Sequence, residues 1–293
     1  MRIASLLPSA TEIVCALGLE DDLVAITHEC DYPPSVRARP VVTASVLTPM
    51  SSSLDIDRHI RRLVHDGSSI YRLDADRLAA LQPDLILTQE LCDVCAVSYP
   101  IVQQAARRLE ASTQLVSLEP QSLEDVFGNI KLVGQLTDRE EPAQALVDHL
   151  LSRISRVREQ LAEAPTRRVL CLEWLDPPFN CGHWTPQLVE IAGGDAVLGA
   201  PGRPASVLTW EAVAGADPEV VVVMACGFSL DRSLKETEAI RARLTRREVH
   251  VVDGNAFFSR PGPRLVDSVE IMAGILHPEA VAPPGPEVAR RIA

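Results

Sequence analysis

Residues 140–164, EEPAQALVDHLLSRISRVREQLAEA, limit what this chain can fold into more than any other stretch. Leu146, Val147, Leu150, Leu151, Ile154, Val157 and Leu161 recur at helical spacing, with His149, Arg153, Arg156, Arg158 and Glu159 mostly between them, so one amphipathic helix is expected over 138–164. Thr137 with Glu140, or Asp138 with Glu141, offers a capping box. Pro142 falls in or next to the first turn, where a missing N–H costs least, and Pro165 stops the far end. At 1.5 Å per residue such a helix is roughly 35–40 Å long, the width of a domain. The sequence on its two sides has the same grammar, which makes it a strut between two related lobes.

The 293 residues are more than one hydrophobic core usually holds. Short buried-strand runs alternate with helical segments before the strut: strands at 2–7, 23–27, 85–88 and 114–118, helices at 8–17, 54–65 and 101–110. The pattern restarts after it, with strands at 168–173, 220–224 and 248–252 and helices at 185–192 and 265–276. Alternation of this kind implies largely parallel sheets covered on both faces. The expected class is α/β: two Rossmann-like lobes with parallel sheets, joined by one long helix, with a ligand cleft between them. The expected divisions are an N-terminal lobe at 1–137, the linking helix at 138–165, a C-terminal lobe at 166–277 and a proline-rich tail at 278–293. Asp76-Arg-Leu-Ala-Ala-Leu-Gln-Pro83 before Asp84-Leu-Ile-Leu87 matches Glu211-Ala-Val-Ala-Gly-Ala-Asp-Pro218 before Glu219-Val-Val-Val222, the mark of one unit used twice.

A net charge of -12 disfavours nucleic acid or an anionic membrane surface as the main partner. No apolar run approaches the ~18–20 residues of a membrane span. Met1 is followed at once by an apolar strand, without a basic n-region or cleavage site, so a cytoplasmic protein is expected, or an exported one if the true start lies upstream. There is no G-x-G-x-x-G, G-x-x-x-x-G-K-[ST] or G-x-S-x-G, so neither a phosphate cradle nor a hydrolase elbow has support and no catalytic residue is assigned.

In open parallel sheets ligands sit beyond the carboxyl ends of the strands. The loops expected there are 8–11, 28–34, 89–98, 174–184 and 255–263. Aromatic residues are scarce, three Trp, three Tyr and five Phe, yet Tyr32, Trp174, Phe179, Trp184, Phe257 and Phe258 all fall in these loops. Rings gathered in one cleft suit a large, flat or apolar ligand, although rings also plug the edges of cores. The expected ligand contacts are Ser9 and Ala10 in the first loop, Tyr32 in the second, Gln89 and Glu90 in the third, Trp174, Phe179, His183 and Trp184 in the fourth, and Phe257, Phe258 and Arg260 in the last. Cysteine and histidine cluster in the same loops. Cys30, Cys92, Cys95 and His183 could hold zinc or an iron–sulfur cluster; the Cys92-x-x-Cys95 pair could also be a redox pair or two small buried thiols. His28 and His183 could ligate a metal carried inside a cofactor. Asp76 and Glu211 sit where the dipole of a helix start favours an acid, and could equally dock a basic partner.

Taken together, Leu7-Pro-Ser-Ala-Thr-Glu12, Cys30-Asp-Tyr-Pro-Pro34, Leu81-Gln-Pro-Asp-Leu-Ile-Leu87, Asp176-Pro-Pro-Phe179 with Gly182, Gly193-Gly194 and Phe257-Phe258 with Pro263-Arg264 resemble the cobalamin-binding substrate-binding proteins of ABC importers, of the class III periplasmic-binding-protein fold. The resemblance runs to about His277. It implies a non-catalytic binder with a corrinoid between its lobes, Tyr32 and Phe257-Phe258 standing where the family has cleft aromatics, and Asp76 and Glu211 standing where it docks onto an ABC permease. Departures are Gln89 in place of a cleft tryptophan, an inserted look to 47–72, and the cleft cysteines. Haem or iron-chelate binding in the same fold, and a metal-containing redox protein, are the alternatives.

Overall fold

The computed structural model describes residues 1–46, 52–65, 70–90, 99–107, 109, 113–244 and 247–292, with the side chains of 63–65 excepted. Its described elements run β1 (Ile3–Ser5), α1 (Pro8–Ala16), β2 (Leu23–Ala25), β3 (Thr43–Ser45), α2 (Ser53–His65), β4 (Tyr71–Leu73), α3 (Ala75–Ala80), β5 (Leu85–Thr88), α4 (Tyr99–Ala106), β6 (Gln114–Ser117) and α5 (Leu123–Leu136). They continue with α6 (Glu140–Gln160), β7 (Arg167–Leu172), β8 (Trp174–Leu175), β9 (Pro178–Phe179), α7 (Thr185–Ile191), β10 (Gly194–Ala196), α8 (Trp210–Ala216), β11 (Val220–Val223), α9 (Leu230–Ile240), β12 (Glu248–Val252), α10 (Leu265–Leu276) and β13 (Ala289–Arg291). No described helix is long and apolar enough to cross a membrane.

The chain divides into two compact units, Met1–Ser51 with Arg58–Pro120 and Phe127–Val147, and Ser52–Asp57 with Gln121–Val126 and Asp148–Ala293. The first holds a parallel sheet in the order β2-β1-β5-β6. The two inner strands, β1 and β5, are buried throughout, and Ala4, Leu6, Ala25, Val42, Leu78, Ile86 and Val102 form one core cluster. The second holds the order β10-β7-β11-β12-β13, parallel except for β13. Its four consecutive valines in β11 are all buried, as a central strand covered on two faces requires.

The units repeat each other down to single hydrogen bonds. The Arg2 N–H donates to Asp84 Oδ2 at 2.7 Å, and the Arg168 N–H to Glu219 Oε2 at 2.8 Å. Arg2 Nη2 donates to the Leu81 carbonyl and Arg168 Nη2 to that of Ala216, the last residues of their turns. Gln82 and Asp217, each just before a proline, share φ of 43°. The same elbow therefore feeds β5 and β11. The paired hydrogen bonds span 82 residues in the first unit and 51 in the second. The extra chain accommodates β3, α2 and β4, in and around the segment that looked inserted.

The long helix is present as α6, carrying the chain from the first unit into the second. Val147, Leu150, Ile154, Val157 and Leu161 are buried at the expected period, while Leu151 is 44% exposed. The capping box with Thr137 does not form: its hydroxyl donates back to the Val133 carbonyl at 2.7 Å, closing α5 instead. Gly134 is required there, because a Cβ would lie 2.5 Å from that of Ala143. Helices α5 and α9, strand β10 and hairpin β8–β9 are additions to the sequence reading. The stretch after 278 is no loose tail either, since β13 pairs with β12 through Val252↔Ala289 to His250↔Arg291.

Candidate functional site

In the first unit the carboxyl ends of β1, β2 and β5 present the loops expected to meet a ligand. Ser9 and Ala10 are buried in the first turn of α1. Behind them the Thr11 hydroxyl donates to Ser5 Oγ at 2.8 Å and lies 3.1 Å from Cys30 Sγ, which is also 3.1 Å from Thr27 Oγ1. Tyr32 is 43% exposed, Gln89 is buried and Glu90 exposed. His28 packs its ring on Tyr71 with centroids 5.4 Å apart and sets Nδ1 2.7 Å from Thr43 Oγ1. Burial lowers the pKa of His28, and Glu29, whose Oε1 is 3.4 Å from Nε2, opposes this.

In the second unit the rings concentrate. Hairpin β8–β9 sets Trp174 opposite Phe179, and the Glu173 side chain accepts the Gly182 N–H at 3.0 Å, closing the loop on itself. Trp174 packs on Phe228 at 5.0 Å between centroids, and the Arg232 guanidinium lies 4.0 Å over the other ring of that pair. The Trp174 Nε1–H is buried with no hydrogen-bond partner among the described residues. An indole donor left unpaired inside a protein is uncommon, because its desolvation is not repaid. His183, held at φ 50°, stacks on Trp184 with centroids 5.6 Å apart, and burial lowers its pKa. Trp184 is 8% exposed and donates Nε1–H to the Phe258 carbonyl at 2.9 Å.

The turn Gly254–Phe258 follows β12, with Asp253 capping it through the Ala256 N–H at 2.8 Å. Gly254 is compulsory: a Cβ there would lie within 2.6 Å of the Met224 and Ala225 backbone, so the loops after β11 and β12 touch main chain to main chain. Phe258 and Arg260 are buried, and Phe257 lies under the Arg264 guanidinium at 5.4 Å. The second unit thus brings together Trp174 with Phe179, His183 with Trp184, and Trp184 with Phe258. Phe228 and Arg232 were missed by sequence reasoning. Their signal was positional, an aromatic five residues past the end of β11 at the carboxyl edge of the sheet.

The metal expectation gains no support. Among the described residues no group of three or more His, Cys, Asp or Glu side chains could hold a metal ion. The Cys30 thiol is engaged by two threonine hydroxyls in the first unit, His183 belongs to the second, and Cys92 and Cys95 lie outside the described residues. Asp76 and Glu211 are both exposed at the second position of their helices, α3 capped by the Asp74 side chain and α8 by that of Thr209.

Comparison with known proteins places these observations. Residues 3–247 match the family described as periplasmic binding protein. The vitamin B12-binding protein of Vibrio cholerae is 22% identical over 271 residues, 92% of this chain and 86% of that protein. The solved structure of the periplasmic vitamin B12 binding protein BtuF of Vibrio cholerae aligns with a TM-score of 0.68 at 22% identity, over 94% of this chain and 96% of that one. A periplasmic heme binding protein from Pseudomonas aeruginosa aligns with a TM-score of 0.72 at 19% identity, over 100% and 98%. The expectation of a cytoplasmic protein is overturned by this kinship, since the family and these solved relatives are periplasmic. With a match across most of its length, the chain belongs to the periplasmic binding protein family, a family of binders and not of enzymes.

Proposed function

We propose that this protein binds a tetrapyrrole-class small molecule, a corrinoid of the cobalamin kind, on the carboxyl-edge loops of its sheets and delivers it to an ABC permease. The observation that carries the reading is the Trp174 cluster. Rings of Trp174, Phe179 and Phe228 stand at the carboxyl edge of the second sheet, with an indole N–H that the protein's own described atoms leave unpaired. Flat apolar walls with one or two placed donors suit a broad ring system edged with amide carbonyls. The curated relatives named as vitamin B12-binding proteins support the corrinoid. In the first unit Tyr32 is an exposed ring on a carboxyl-edge loop, and each unit carries one exposed carboxylate, Asp76 or Glu211, suited to a basic permease surface.

A second reading, haem, is favoured by one feature: the half-buried imidazoles of His28 and His183 have lowered pKa values, which keeps neutral the form that ligates iron. The same titration separates the two. Hydroxocobalamin should shift its visible spectrum on mixing and raise the unfolding free energy by about 2.7 kcal/mol at a hundredfold excess over Kd. A shift and stabilisation with hemin alone would make haem the ligand. No response to either at micromolar concentration overturns the tetrapyrrole reading.

A further inference from the structure

We infer that Cys171 and Cys181 are a disulfide-forming pair that closes the loop bearing Trp174 and Phe179. Both residues are 1% exposed, and both are free thiols in this structure. Cys171 lies on β7, where the parallel ladder with β11 sets it opposite Val222 and holds its backbone. Beyond it the chain doubles back. The Glu173 N–H donates to the Phe179 carbonyl at 3.1 Å, and the Gly182 N–H to Glu173 Oε1 at 3.0 Å, which returns Cys181 to the end of the strand it left. There the two thiols are hydrogen-bonded to each other. Cys181 Sγ is packed in from its other side, for a Cβ on Gly199 would come within 2.8 Å of it. That mutual hydrogen bond first, and then burial, push the Cys171 thiol well above its ordinary pKa, so oxidation of the finished fold is slow and the bond forms while the chain is folding.

The chemistry balances with a disulfide oxidant such as glutathione disulfide. One cysteine thiolate attacks the oxidant's S–S bond, releasing one glutathione thiol and leaving a mixed disulfide. The second cysteine attacks the protein sulfur of that mixed bond, releasing the other glutathione thiol. The two cysteines lose two electrons and two protons, the oxidant gains them, and one S–S bond replaces another. The new bond encloses residues 172–180. Its effect on the fold comes chiefly through restriction of the unfolded chain. Its importance for ligand binding rests on the reading above, because Trp174 and Phe179 ride on the enclosed loop; the existence of the bond does not.

The test uses the full chain without any ligand. Reduced protein is unfolded in guanidinium, refolded in a mixture of oxidised and reduced glutathione, alkylated with iodoacetamide and digested with a glutamyl endopeptidase, which cuts after Glu173 and puts the two cysteines on separate peptides. The expected result is that these two peptides stay joined, lighter by two hydrogens than their sum, and part on reduction. A thermal midpoint higher for the oxidised than for the reduced form should accompany it, the difference vanishing in Cys181→Ala. Alkylation of both thiols, or linkage of either to Cys226 instead, overturns the proposal. Loss of ligand affinity plays no part in this outcome, so the disulfide and the tetrapyrrole reading fail separately.

Discussion

Trp184→Phe and Trp174→Phe remove the same indole nitrogen from the two ends of one loop, and the structure assigns them opposite consequences. At position 184 the lost N–H is the donor to the Phe258 carbonyl at 2.9 Å, both residues being buried. Leaving that carbonyl without its partner costs about 1–3 kcal/mol. The void left by the missing part of the indole adds roughly 1–2 kcal/mol, the surroundings relaxing only in part. A total of about 2–5 kcal/mol lowers the midpoint of a unit this size by roughly 4–20 °C. At position 174 the N–H has no partner, and a phenyl ring preserves the pair with Phe228, so the cost stays below about 1 kcal/mol. Ligand affinity should respond in the reverse order, weakening several-fold in Trp174→Phe and little in Trp184→Phe once folded protein is counted. Differential scanning calorimetry paired with hydroxocobalamin titration measures both. A Trp184→Phe protein within about 1 kcal/mol of wild type, or a Trp174→Phe protein less stable than Trp184→Phe, refutes the reasoning.

Further outcomes follow from other contacts. Gly254→Ala should cost more than about 2 kcal/mol, seen as a lowered urea midpoint, because the new methyl meets immovable backbone at Met224 and Ala225 and not the end of a side chain. His183 has a lowered pKa in the fold because it is partly buried, so the unfolded chain takes up its proton first as pH falls below the ordinary imidazole value. Stability contributed by the neutral ring is therefore full above that value and is lost on acidification through the lower folded one; thermal midpoints of His183→Gln should fall less steeply than wild type between pH 6.5 and 5. Asp76→Lys with Glu211→Lys should leave the midpoint within a few degrees, since each exposed acid at a helix start contributes about 0.3–1 kcal/mol, and the cobalamin Kd within twofold; a large loss of affinity would place these acids in the ligand site instead. Arg153, which forks onto Glu270 at 2.9 and 2.6 Å and reaches Asp267 at 2.6 Å, ties α6 to α10, and Arg153→Met should cost about 1–2 kcal/mol after allowance for the partial exposure of both carboxylates, less in high salt.

The strands and helices that the sequence disclosed are those whose period is set by burial against one sheet. The linking helix was legible because Val147, Leu150, Ile154 and Val157 keep one face, and β11 because four valines admit no other reading. Helices α5 and α9 went unread although both are amphipathic, since no proline or glycine marks their ends as Pro165 marks that of α6. Hairpin β8–β9 has two residues a side and exists through Glu173 and Asn180, whose side chains stitch the loop, a cause no local pattern carries. The clustering of rings was visible in their positions alone. Their division of labour was not: that Trp184 is spent on the fold while Trp174 keeps an idle donor depends on which carbonyl each indole reaches.

Strands β3 and β4 run antiparallel, with Thr43 opposite Leu73 and Ser45 opposite Tyr71, and the Val46 N–H still reaches the Ile70 carbonyl at 2.9 Å. That hydrogen bond is the last described contact of the pair before the chain runs on toward α2. Val46 joined to Ile70 by a tight Asn-Gly turn would close β3 and β4 as a two-residue hairpin and keep the register of Thr43 with Leu73 and Ser45 with Tyr71. The shorter chain would approach the spacing that its other half has always used.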